Sequence, residues 1–413
     1  MRVIHTSDWH LGQELHGFNR GIEHDVFLDW LTDQLITQDA DALIVTGDVY
    51  DTVNPPIPAQ QRLYQFVSKA LTKSPRLQIV FIGGNHDSAA RLELPKHLLH
   101  AHQVHLVGGM PRYDGRPTVE RSLIPLRDKA GALRAVCAAI PYLRPGDLPT
   151  VANGESPIHT LYRDVIVTAT AIYGALPLVV TGHLHMRGGA VSELSERRIV
   201  IGGQEAVASD IFPASVAYVA LGHLHKPQSI AGQTIIRYAG SPFPMAVTEK
   251  DYHHSIVVID IDKTTGATTD LVRTPRAVAF HRVPAVGSAP LDVIEEALGS
   301  LEVDDPGEHR RPYLEVAVWL DGAEPELRRR IDGAIEGKPV RLTRIIRQTA
   351  GQGGALADAI DGGVTLDALH PAQVFVRRYI EQYGAEPPDN LNRAFNELLA
   401  SVWSADDHRA GII

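Results

Sequence analysis

Short apolar runs alternate with amphipathic stretches through most of the chain. Runs rich in Val, Ile and Leu occur at residues 2–5, 42–45, 78–82, 178–180, 217–221 and 255–259. Apolar runs without polar alternation predict β-strands that are covered on both faces. After the first run, an apolar stripe at helical spacing consists of Phe27, Leu28, Leu31, Leu35 and Ile36. A second stripe predicts a helix over 59–71, and this alternation of strands and helices is typical of an α/β fold.

The pattern changes after Asp262. A smaller unit follows, in which strand, helix, strand, helix and strand are predicted in turn for residues 277–283, 291–301, 313–320, 325–335 and 340–346. Paired glycines then predict a flexible connection, and two amphipathic helices are predicted at the end of the chain, near 371–383 and 390–403. We therefore divide the chain into a main domain (1–275), a small α/β domain (276–348), a flexible linker (349–370) and a helical pair (371–405).

Polar residues with metal-binding side chains follow five of the apolar runs. They are Asp8 and His10; Asp48; Asn85, His86 and Asp87; His183; and His223 and His225. Ligands gather at the carboxyl ends of strands in α/β sheets, because the loops converge there. A single histidine at a strand end is usually structural, but five such groups, offering oxygen and imidazole and no thiolate, predict a metal site. These donors suit Mn²⁺, Fe²⁺ or Zn²⁺, and their oxygen content favours Mn²⁺.

The segments around these residues resemble a known family. The chain resembles the calcineurin-like metallophosphoesterase superfamily in the ordered motifs Asp8-Trp9-His10, Gly47-Asp48, Gly84-Asn85-His86-Asp87, Gly182-His183 and Gly222-His223-Leu224-His225. Within it, residues 5–12, 47–52, 220–225 and 238–242 are similar to the SbcD family of bacterial nuclease subunits, and the similarity extends over nearly the whole chain. The resemblance implies a core of two packed mixed β-sheets flanked by helices, a small α/β capping domain and C-terminal helices.

The resemblance also implies a role for each motif residue. Two divalent metal ions are expected, with Mn²⁺ favoured and Mg²⁺, Fe²⁺ or Zn²⁺ as alternatives. One ion would be held by Asp8, His10 and His225, the other by Asn85, His183 and His223, with Asp48 as the bridge. His86 is assigned to transition-state stabilisation and to protonation of the leaving oxygen. Asp87 either orients the imidazole of His86 or makes a structural hydrogen bond to the loop backbone.

Other histidines and basic residues near the motifs have weaker claims to function. His185 mimics a ligand, but in the resembling family the earlier motif contributes only its first histidine, so His185 is excluded from the metal set. His5 precedes the first motif inside a strand and is interpreted as a core residue. Arg20, Arg91 and Lys226 are candidate DNA contacts, with an ordinary surface role as the alternative for each.

The formal net charge of −10 is unusual for a protein that acts on DNA, which is normally bound by a basic face. Either metal-ligating carboxylates account for part of the charge, or a partner protein supplies the basic surface. The apolar faces of the terminal helices either fold back on the body or bind a partner. The resemblance favours an SbcC-type ATPase as that partner, which would use the ATP itself. It also implies a homodimer within a heterotetramer, formed near 62–66 and 91–98.

The metal-binding motifs predict phosphoester hydrolysis. The resemblance implies, more specifically, a metal-dependent DNA nuclease subunit with double-strand exonuclease and hairpin or single-strand endonuclease activity, which processes DNA ends in repair and recombination. The alternatives are a small-molecule phosphodiesterase or protein phosphatase on the same core, or a scaffold without activity. No export signal or membrane-spanning run is evident, and the single cysteine, Cys137, lies in an apolar run. We therefore expect a cytoplasmic protein without membrane contact.

Overall fold

The protein is described by a computed structural model that covers residues 1–349, apart from 115, 153–154, 193–195, 197–205, 265 and 323. Beyond 349 it describes Phe375, Tyr379, Pro387, Pro388, Leu391 and Phe395. The strands in chain order are β1 (Arg2–Thr6), β2 (Glu14–Leu15), β3 (Phe18–Asn19), β4 (Ala42–Thr46), β5 (Gln78–Ile82), β6 (Val104–Val107), β7 (Arg112–Tyr113), β8 (Arg116–Pro117), β9 (Leu123–Arg127), β10 (Leu133–Ala138), β11 (Leu178–His183), β12 (Tyr218–Gly222), β13 (Gln228–Ile230), β14 (Ile236–Tyr238), β15 (Ser255–Asp262), β16 (Gly266–Arg273), β17 (Phe280–Val283), β18 (Ala289–Pro290), β19 (Tyr313–Leu320) and β20 (Arg341–Thr349). The helices are α1 (Gly21–Thr37), α2 (Ile57–Lys73), α3 (Ala89–Leu92), α4 (Lys96–His100), α5 (Pro157–Tyr173), α6 (Leu291–Gly299) and α7 (Leu327–Ala334).

Two six-stranded mixed sheets contain most of the strands. The first has the order β16-β15-β1-β4-β5-β6, in which the last four strands are parallel, β15 is antiparallel to β1, and β16 is antiparallel to β15. The second has the order β13-β14-β12-β11-β10-β9, with four parallel strands between two antiparallel edge strands. The six apolar runs predicted as strands all lie in these two sheets.

The two sheets pack face to face, and helices cover their outer faces. One buried apolar cluster joins Val3 and Ile44 of the first sheet to Cys137 and Val179 of the second. A second cluster packs α1 and α2 on the outside of the first sheet, and a third packs α5 on the outside of the second. This arrangement confirms the predicted α/β class with two packed mixed sheets flanked by helices. The predicted stripe on α1 is wrong at Ile36, which lies in the last turn and is 44% exposed.

A third sheet follows the two large ones. It has the order β17-β19-β18, and β20 also pairs with β19. Two helices, α6 and α7, alternate with these strands and bury Ile294, Leu298, Leu327 and Ile331. The predicted order of strand, helix, strand, helix and strand is therefore observed, with the two-residue strand β18 as an addition before α6.

A buried arginine connects the third sheet to α1 within one compact unit. Arg20 is 0% exposed and pairs with Glu23 through two hydrogen bonds of 2.8 and 2.5 Å. Tyr313, from β19, donates its hydroxyl hydrogen to Glu23 at 2.8 Å. The guanidinium also lies 4.8 Å from the ring centre of Phe243. Both interpretations of Arg20, as a DNA contact and as an ordinary surface charge, are therefore wrong, because its charge is neutralised in the interior and cannot reach a phosphate.

Replacing Tyr313 by Phe tests this connection. We expect the free energy of unfolding to fall by about 1.5–3 kcal/mol, because a buried hydrogen bond to a charged carboxylate is lost while Arg20 continues to neutralise Glu23. Urea denaturation followed by circular dichroism measures the change. Tyr113→Phe, at a side chain that is 68% exposed, is the matched control. Equal denaturation midpoints for the two variants would contradict the expectation.

The C-terminal region is described at a few positions. Phe375, Tyr379, Leu391 and Phe395 are helical, and the rings of Phe375 and Phe395 stack with their centres 4.1 Å apart. Thr349, the first residue of the predicted linker 349–370, is instead the last residue of β20. The rest of the predicted linker, and the remainder of the predicted helical pair, lie outside the described residues. Among the helices that are described, none combines the length and apolar character needed to cross a lipid bilayer.

Candidate metal centre

The loops after β1 and β4 lie side by side at the carboxyl edge of the first sheet. The backbone N–H of Asp8 donates to the carbonyl oxygen of Gly47 at 3.0 Å, and that of His10 donates to the carbonyl oxygen of Asp48 at 2.9 Å. Asp8, His10 and Asp48 have φ angles of 53°, 46° and 45°, and His223 has a φ of 100°. Such positive φ values are rare for residues other than glycine and occur at functional sites held by their surroundings. The backbone here is shaped to direct these side chains together.

Two glycines allow the strand ends to approach each other closely. A Cβ atom on Gly84 would overlap with the carboxylate of Asp48, and one on Gly222 would overlap with the carbonyl oxygen of Thr46. The second contact joins β12 of one sheet to β4 of the other. The absence of a side chain at these two positions therefore permits the carboxyl ends of the two sheets to meet.

The first predicted ligand set forms a compact group. The side chains of Asp8, His10 and His225 bring their potential ligand atoms within 4.8 Å of one another, and all three are buried. The Nε2 atoms of the two histidines are 3.2 Å apart. Asp8 is oriented by the hydroxyl of Ser7, which donates to it at 2.6 Å, and by the backbone N–H of His223 at 2.9 Å. The group offers one carboxylate and two imidazoles to a common point.

The second predicted set lies beside the first. The Nε2 atom of His183 is 2.9 Å from the Oδ1 atom of Asn85, and the rings of His183 and His223 are 5.4 Å apart in edge contact. Asp48 lies between the two sets, with its Oδ2 atom 3.6 Å from Nε2 of His10 and 3.4 Å from Nε2 of His183. The structure thus brings the seven predicted ligands close together, with Asp48 near a histidine of each set, and its bridging role stays a prediction.

His86 lies at the edge of this group. It approaches His10 and Asp48 closely enough for the three side chains to share one point, and its ring centre is 4.9 Å from that of His10. Its Nδ1 atom is 2.7 Å from the backbone carbonyl oxygen of Asp51. Because a carbonyl oxygen only accepts, Nδ1 carries the hydrogen and Nε2 is the atom that exchanges a proton. This orientation is compatible with the predicted role as proton donor.

Asp87 makes contacts that favour one of its two predicted roles. Its carboxylate accepts hydrogen bonds from the backbone N–H groups of Val49, Tyr50 and Gly84 at 3.1, 2.9 and 2.8 Å. Burial, with a contribution from Asp48, raises the pKa of Asp87 to about 6, against the lowering effect of these hydrogen bonds. These contacts favour the structural role, in which Asp87 connects the loop after β4 to the loop after β5. Its predicted catalytic role, through the imidazole of His86, stays a prediction.

Two acidic residues that the sequence did not single out contact the ligand histidines. Asp51 places Oδ1 3.1 Å from Nδ1 of His10, and Glu249 places Oε1 2.9 Å from Nδ1 of His225. Asp51 lies three residues after Asp48 in the recognised segment 47–52, so its closeness to a predicted ligand in the sequence could have indicated a role at the site. Glu249 lies in a short 3-10 helix, Val247–Glu249, with no motif around it. Only the folded structure brings it to His225.

Opposite charges compensate one another in the centre. Burial lowers the pKa of His183, but Asp48 and Asp8 outweigh this effect and raise it to about 9. Burial also lowers the pKa of His225, but acidic neighbours outweigh this effect. Glu249 contributes most, and the pKa rises to about 10. Burial disfavours the ionised form of Asp48, yet His183 holds the pKa of this carboxyl well below its usual range. Such strongly shifted, clustered groups are typical of functional sites.

The donor set fits a pair of divalent cations. Carboxylate, amide and imidazole atoms are suitable ligands for Mn²⁺, Fe²⁺ and Zn²⁺. Asp48 faces both sets, as needed to offset the repulsion between two cations about 3.5–4 Å apart. A cation bound at Nε2 of these histidines would displace a proton from that nitrogen, while the Nδ1–H groups would keep their hydrogen-bond acceptors.

The remaining residues considered from the sequence lie outside these sets. His5 is 0% exposed and lies within hydrogen-bonding distance of Tyr218 and Thr46, which confirms it as a core residue. Arg91 and Lys226 are exposed, and the ammonium of Lys226 lies 5.7 Å from the ring centre of Tyr252. His185 follows β11 and is half-buried, and its exclusion from the metal set stays a prediction.

A cleft of about 990 Å³ opens beside the centre. Its lining includes Asp87 together with Lys96, Arg112, Arg121 and Arg144. Arg144 connects the cleft to the centre, because its Nη2 donates to the backbone carbonyl oxygen of Asp87 at 2.9 Å. Two other basic residues of the lining are paired with acidic ones, Lys96 with Glu93 and Arg112 with Asp147.

Family models match most of the chain. The calcineurin-like phosphoesterase model matches residues 1–227, which contain every predicted ligand. A second model, the SbcD C-terminal one, described as the type 5 capsule protein repressor C-terminal domain, matches residues 276–383.

Similar proteins from several bacteria have a common name. The chain is 42% identical to the SbcD subunit of nuclease SbcCD from Rhodobacter capsulatus over 351 residues, which cover 83% of this chain and 86% of the relative. It is 30% identical to the protein of that name from Escherichia coli K12, over 99% of this chain and 100% of the relative. For the Bacillus subtilis protein of that name the identity is 36%, over 63% of this chain and 66% of the relative. The chain therefore belongs to the calcineurin-like phosphoesterase family and, within it, to the SbcD family of SbcCD nuclease subunits.

Proposed function

We propose that this chain is a metal-dependent DNA nuclease that hydrolyses phosphodiester bonds with an SbcC-type ATPase as its partner. The observation that carries the proposal is the position of Asp48 between two complete sets of metal donors, in a chain whose relatives are named as SbcCD nuclease subunits. Double-strand ends and hairpins are the proposed substrates, and DNA repair and recombination the proposed processes. Because bacterial DNA lies in the cytoplasm, the proposed location is cytoplasmic.

The proposed site divides the chemistry among its residues. Asp8, His10 and His225 would hold one cation, Asn85, His183 and His223 the second, and Asp48 both. When bound, the two cations supply charge stabilisation and a water of lowered pKa for attack on phosphorus. We propose Mn²⁺ as the cation in the cell, on the oxygen content of the donor set.

His86 is the proposed proton donor to the leaving oxygen of the cleaved strand. Its Nδ1–H bond to the carbonyl oxygen of Asp51 fixes the ring, so that Nε2 is the nitrogen that carries the transferable proton. The same residue, Asp51, contacts His10 through its side chain. Asp51 thereby fixes the position of the His86 ring, and of the proton that it donates, relative to the first ligand set.

The basic side of the adjoining cleft is the proposed path of a DNA strand. Arg121 and Arg144 line it, and Arg144 lies next to the ligand loop through its contact with Asp87. Guanidinium groups bind phosphate oxygens well and position a strand without reading its sequence. Lys96 and Arg112 of the same cleft pair with Glu93 and Asp147, so Arg121 and Arg144 are the residues proposed to contact phosphate in a chain with a net charge of −10.

Partner binding is proposed for two apolar surfaces of the chain. The stacked rings of Phe375 and Phe395 support a helical pair that presents its remaining apolar face to the ATPase. Leu94 and Leu98, which are 80% and 73% exposed, lie in one of the segments proposed for a homodimer. The division into a nuclease domain (1–275), a capping domain (276–348), a linker (349–370) and an ATPase-binding helical pair (371–405) belongs to the same proposal.

Removing the metal tests the proposed reaction. Treatment with EDTA is expected to reduce cleavage of linear duplex DNA to background in the presence of the ATPase partner and ATP, because the attacking water loses its activation. Adding Mn²⁺ should restore cleavage more fully than adding Mg²⁺ or Zn²⁺. Gel electrophoresis of end-labelled duplex and hairpin DNA measures the products.

The same preparation distinguishes the proposed substrate from its alternatives. Cyclic nucleotides and phosphopeptides should be hydrolysed more slowly than DNA under the conditions that restore nuclease activity. Faster turnover of a cyclic nucleotide would identify a small-molecule phosphodiesterase, and faster turnover of a phosphopeptide would identify a protein phosphatase. Full DNA cleavage in EDTA would refute metal-dependent chemistry on any of these substrates.

A further inference from the structure

The two ligand sets differ in what lies behind their histidines. In the set of Asp8, His10 and His225, both rings direct Nε2 inward and face a carboxylate with Nδ1. Asp51 stands 3.1 Å behind His10, and Glu249 stands 2.9 Å behind His225. Each imidazole of this set therefore lies between the metal position and an acidic side chain.

The histidine described in the other set has a backbone oxygen behind it and not a carboxylate. The Nδ1 atom of His183 is 3.0 Å from the backbone carbonyl oxygen of Thr46, which carries only a partial charge. Asp48 and Asp8 both approach His183 as well as the first set, so these two carboxylates do not distinguish the positions. Asp51 and Glu249, which contact the histidines of the first set from behind, are the carboxylates that make the difference.

The Glu249 carboxylate is fixed in place. It is 0% exposed, and its second oxygen accepts a hydrogen bond from the backbone N–H of Met245 at 2.7 Å. A carboxylate that accepts the Nδ1–H of a ligating histidine fixes the ring and increases the electron density at Nε2, which strengthens the bond to a cation. Because Glu249 is buried, its negative charge is only weakly screened by water at the metal position.

We propose that the two metal positions are unequal and fill in order: the position of Asp8, His10 and His225 binds its cation more tightly, and Glu249 and Asp51 are the positioning residues that make it so. This rests on the proposed function, because it takes the same seven ligands as given. The position of Asn85, His183 and His223 is the weaker one and fills second. An enzyme with one ion per chain would therefore carry it in the first position.

Glu249→Gln tests the inference by metal binding. Isothermal titration of the metal-free full chain with MnCl₂ should show two steps for the wild type. In Glu249→Gln, which keeps the shape and an acceptor oxygen but loses the charge, the tight step should weaken about 10- to 100-fold. The weak step should change much less, because His183 retains its own hydrogen bond.

Glu315→Gln is the matched control. Glu315 is also a buried carboxylate, 3% exposed, but it pairs with Arg282 in the third sheet. Both Mn²⁺ affinities should match the wild type in this variant. Asp51→Asn provides a second test at a side chain that is 27% exposed and therefore less important for folding. It should weaken the tight step in the same direction through His10, and it keeps the inference testable if Glu249→Gln fails to fold.

The outcomes separate this inference from the proposed function. Two wild-type steps of equal affinity, or a tight step that neither Glu249→Gln nor Asp51→Asn weakens, would overturn the inference and leave the two-metal nuclease intact. A wild-type chain that binds no Mn²⁺ would instead refute the proposed metal centre. Equal weakening of both steps in Glu249→Gln, with the circular dichroism spectrum unchanged, would also overturn the inference, because Glu249 would then support the whole centre and not one position.

Discussion

The His86→Ala variant is expected to cleave duplex DNA about 100- to 10,000-fold more slowly than the wild type while it keeps both metal ions. This is the usual contribution of a positioned general acid, and a rate change of that size corresponds to about 3–5 kcal/mol in the barrier. The ring is held by the carbonyl of Asp51 and lies beside the ligand sets. Single-turnover cleavage of an end-labelled duplex measures the rate, and mass spectrometry of dissolved metals measures the ion content.

The metal content decides what the His86 result means. A normal cleavage rate would show that His86 has no catalytic role. A slow variant that has also lost an ion would make His86 a ligand, which its approach to His10 and Asp48 permits geometrically. His309→Ala, at an exposed histidine in the segment before β19, is the control and should cleave at the wild-type rate.

Replacing Asp48 by Asn is expected to have the largest effect. Both ligand sets lose the shared carboxylate, so the repulsion between the two cations is no longer offset. Metal content should fall from two ions to one or none, and cleavage should fall at least about 1,000-fold, because the pair contributes several kcal/mol of charge stabilisation and about 1.4 kcal/mol equals a factor of ten. Metal analysis and single-turnover cleavage measure the two effects.

Asp41→Asn is the matched control for this change. Asp41 is also a buried aspartate and precedes β4 at the opposite end from Asp48, where its carboxylate accepts hydrogen bonds from the backbone of Arg2 and Lys129. Its substitution should leave metal content and cleavage intact. An Asp48→Asn variant that retained two ions and cleaved DNA rapidly would exclude a bridging role.

The sequence was sufficient to predict the parts of the centre that depend on strand ends. Buried parallel strands can be recognised in a sequence as apolar runs, and the loops at their carboxyl ends converge. Asp8, Asp48 and His183 could therefore be expected near one another. The structure brings them together across two sheets. Apolar patterns also predicted the order of strands and helices around the third sheet, because each of those elements has an apolar pattern of its own.

Contacts between distant segments could not be predicted in this way. Arg20 was interpreted as a DNA contact or an ordinary surface charge because it lies near a metal motif in the sequence. The residue that helps to bury it, Tyr313, lies 290 positions from Glu23. Glu249 has no motif, and its importance depends on a fold that places a short 3-10 helix behind His225. The roles of such residues can be recognised only when the tertiary structure is known, because no local sequence pattern predicts which distant residues they contact.

The face-to-face packing of the two large sheets has a consequence for the chemistry. Asp8, His10, Asp48 and Asn85 follow strands of one sheet, whereas His183, His223 and His225 lie at strand ends of the other. Each ligand set therefore draws residues from both sheets, and the thickness of the apolar layer between the sheets limits how closely the two halves of each set approach. This layer, which includes Cys137, acts as a spacer, so a change of side-chain volume within it would alter the distances between the ligands of both sets.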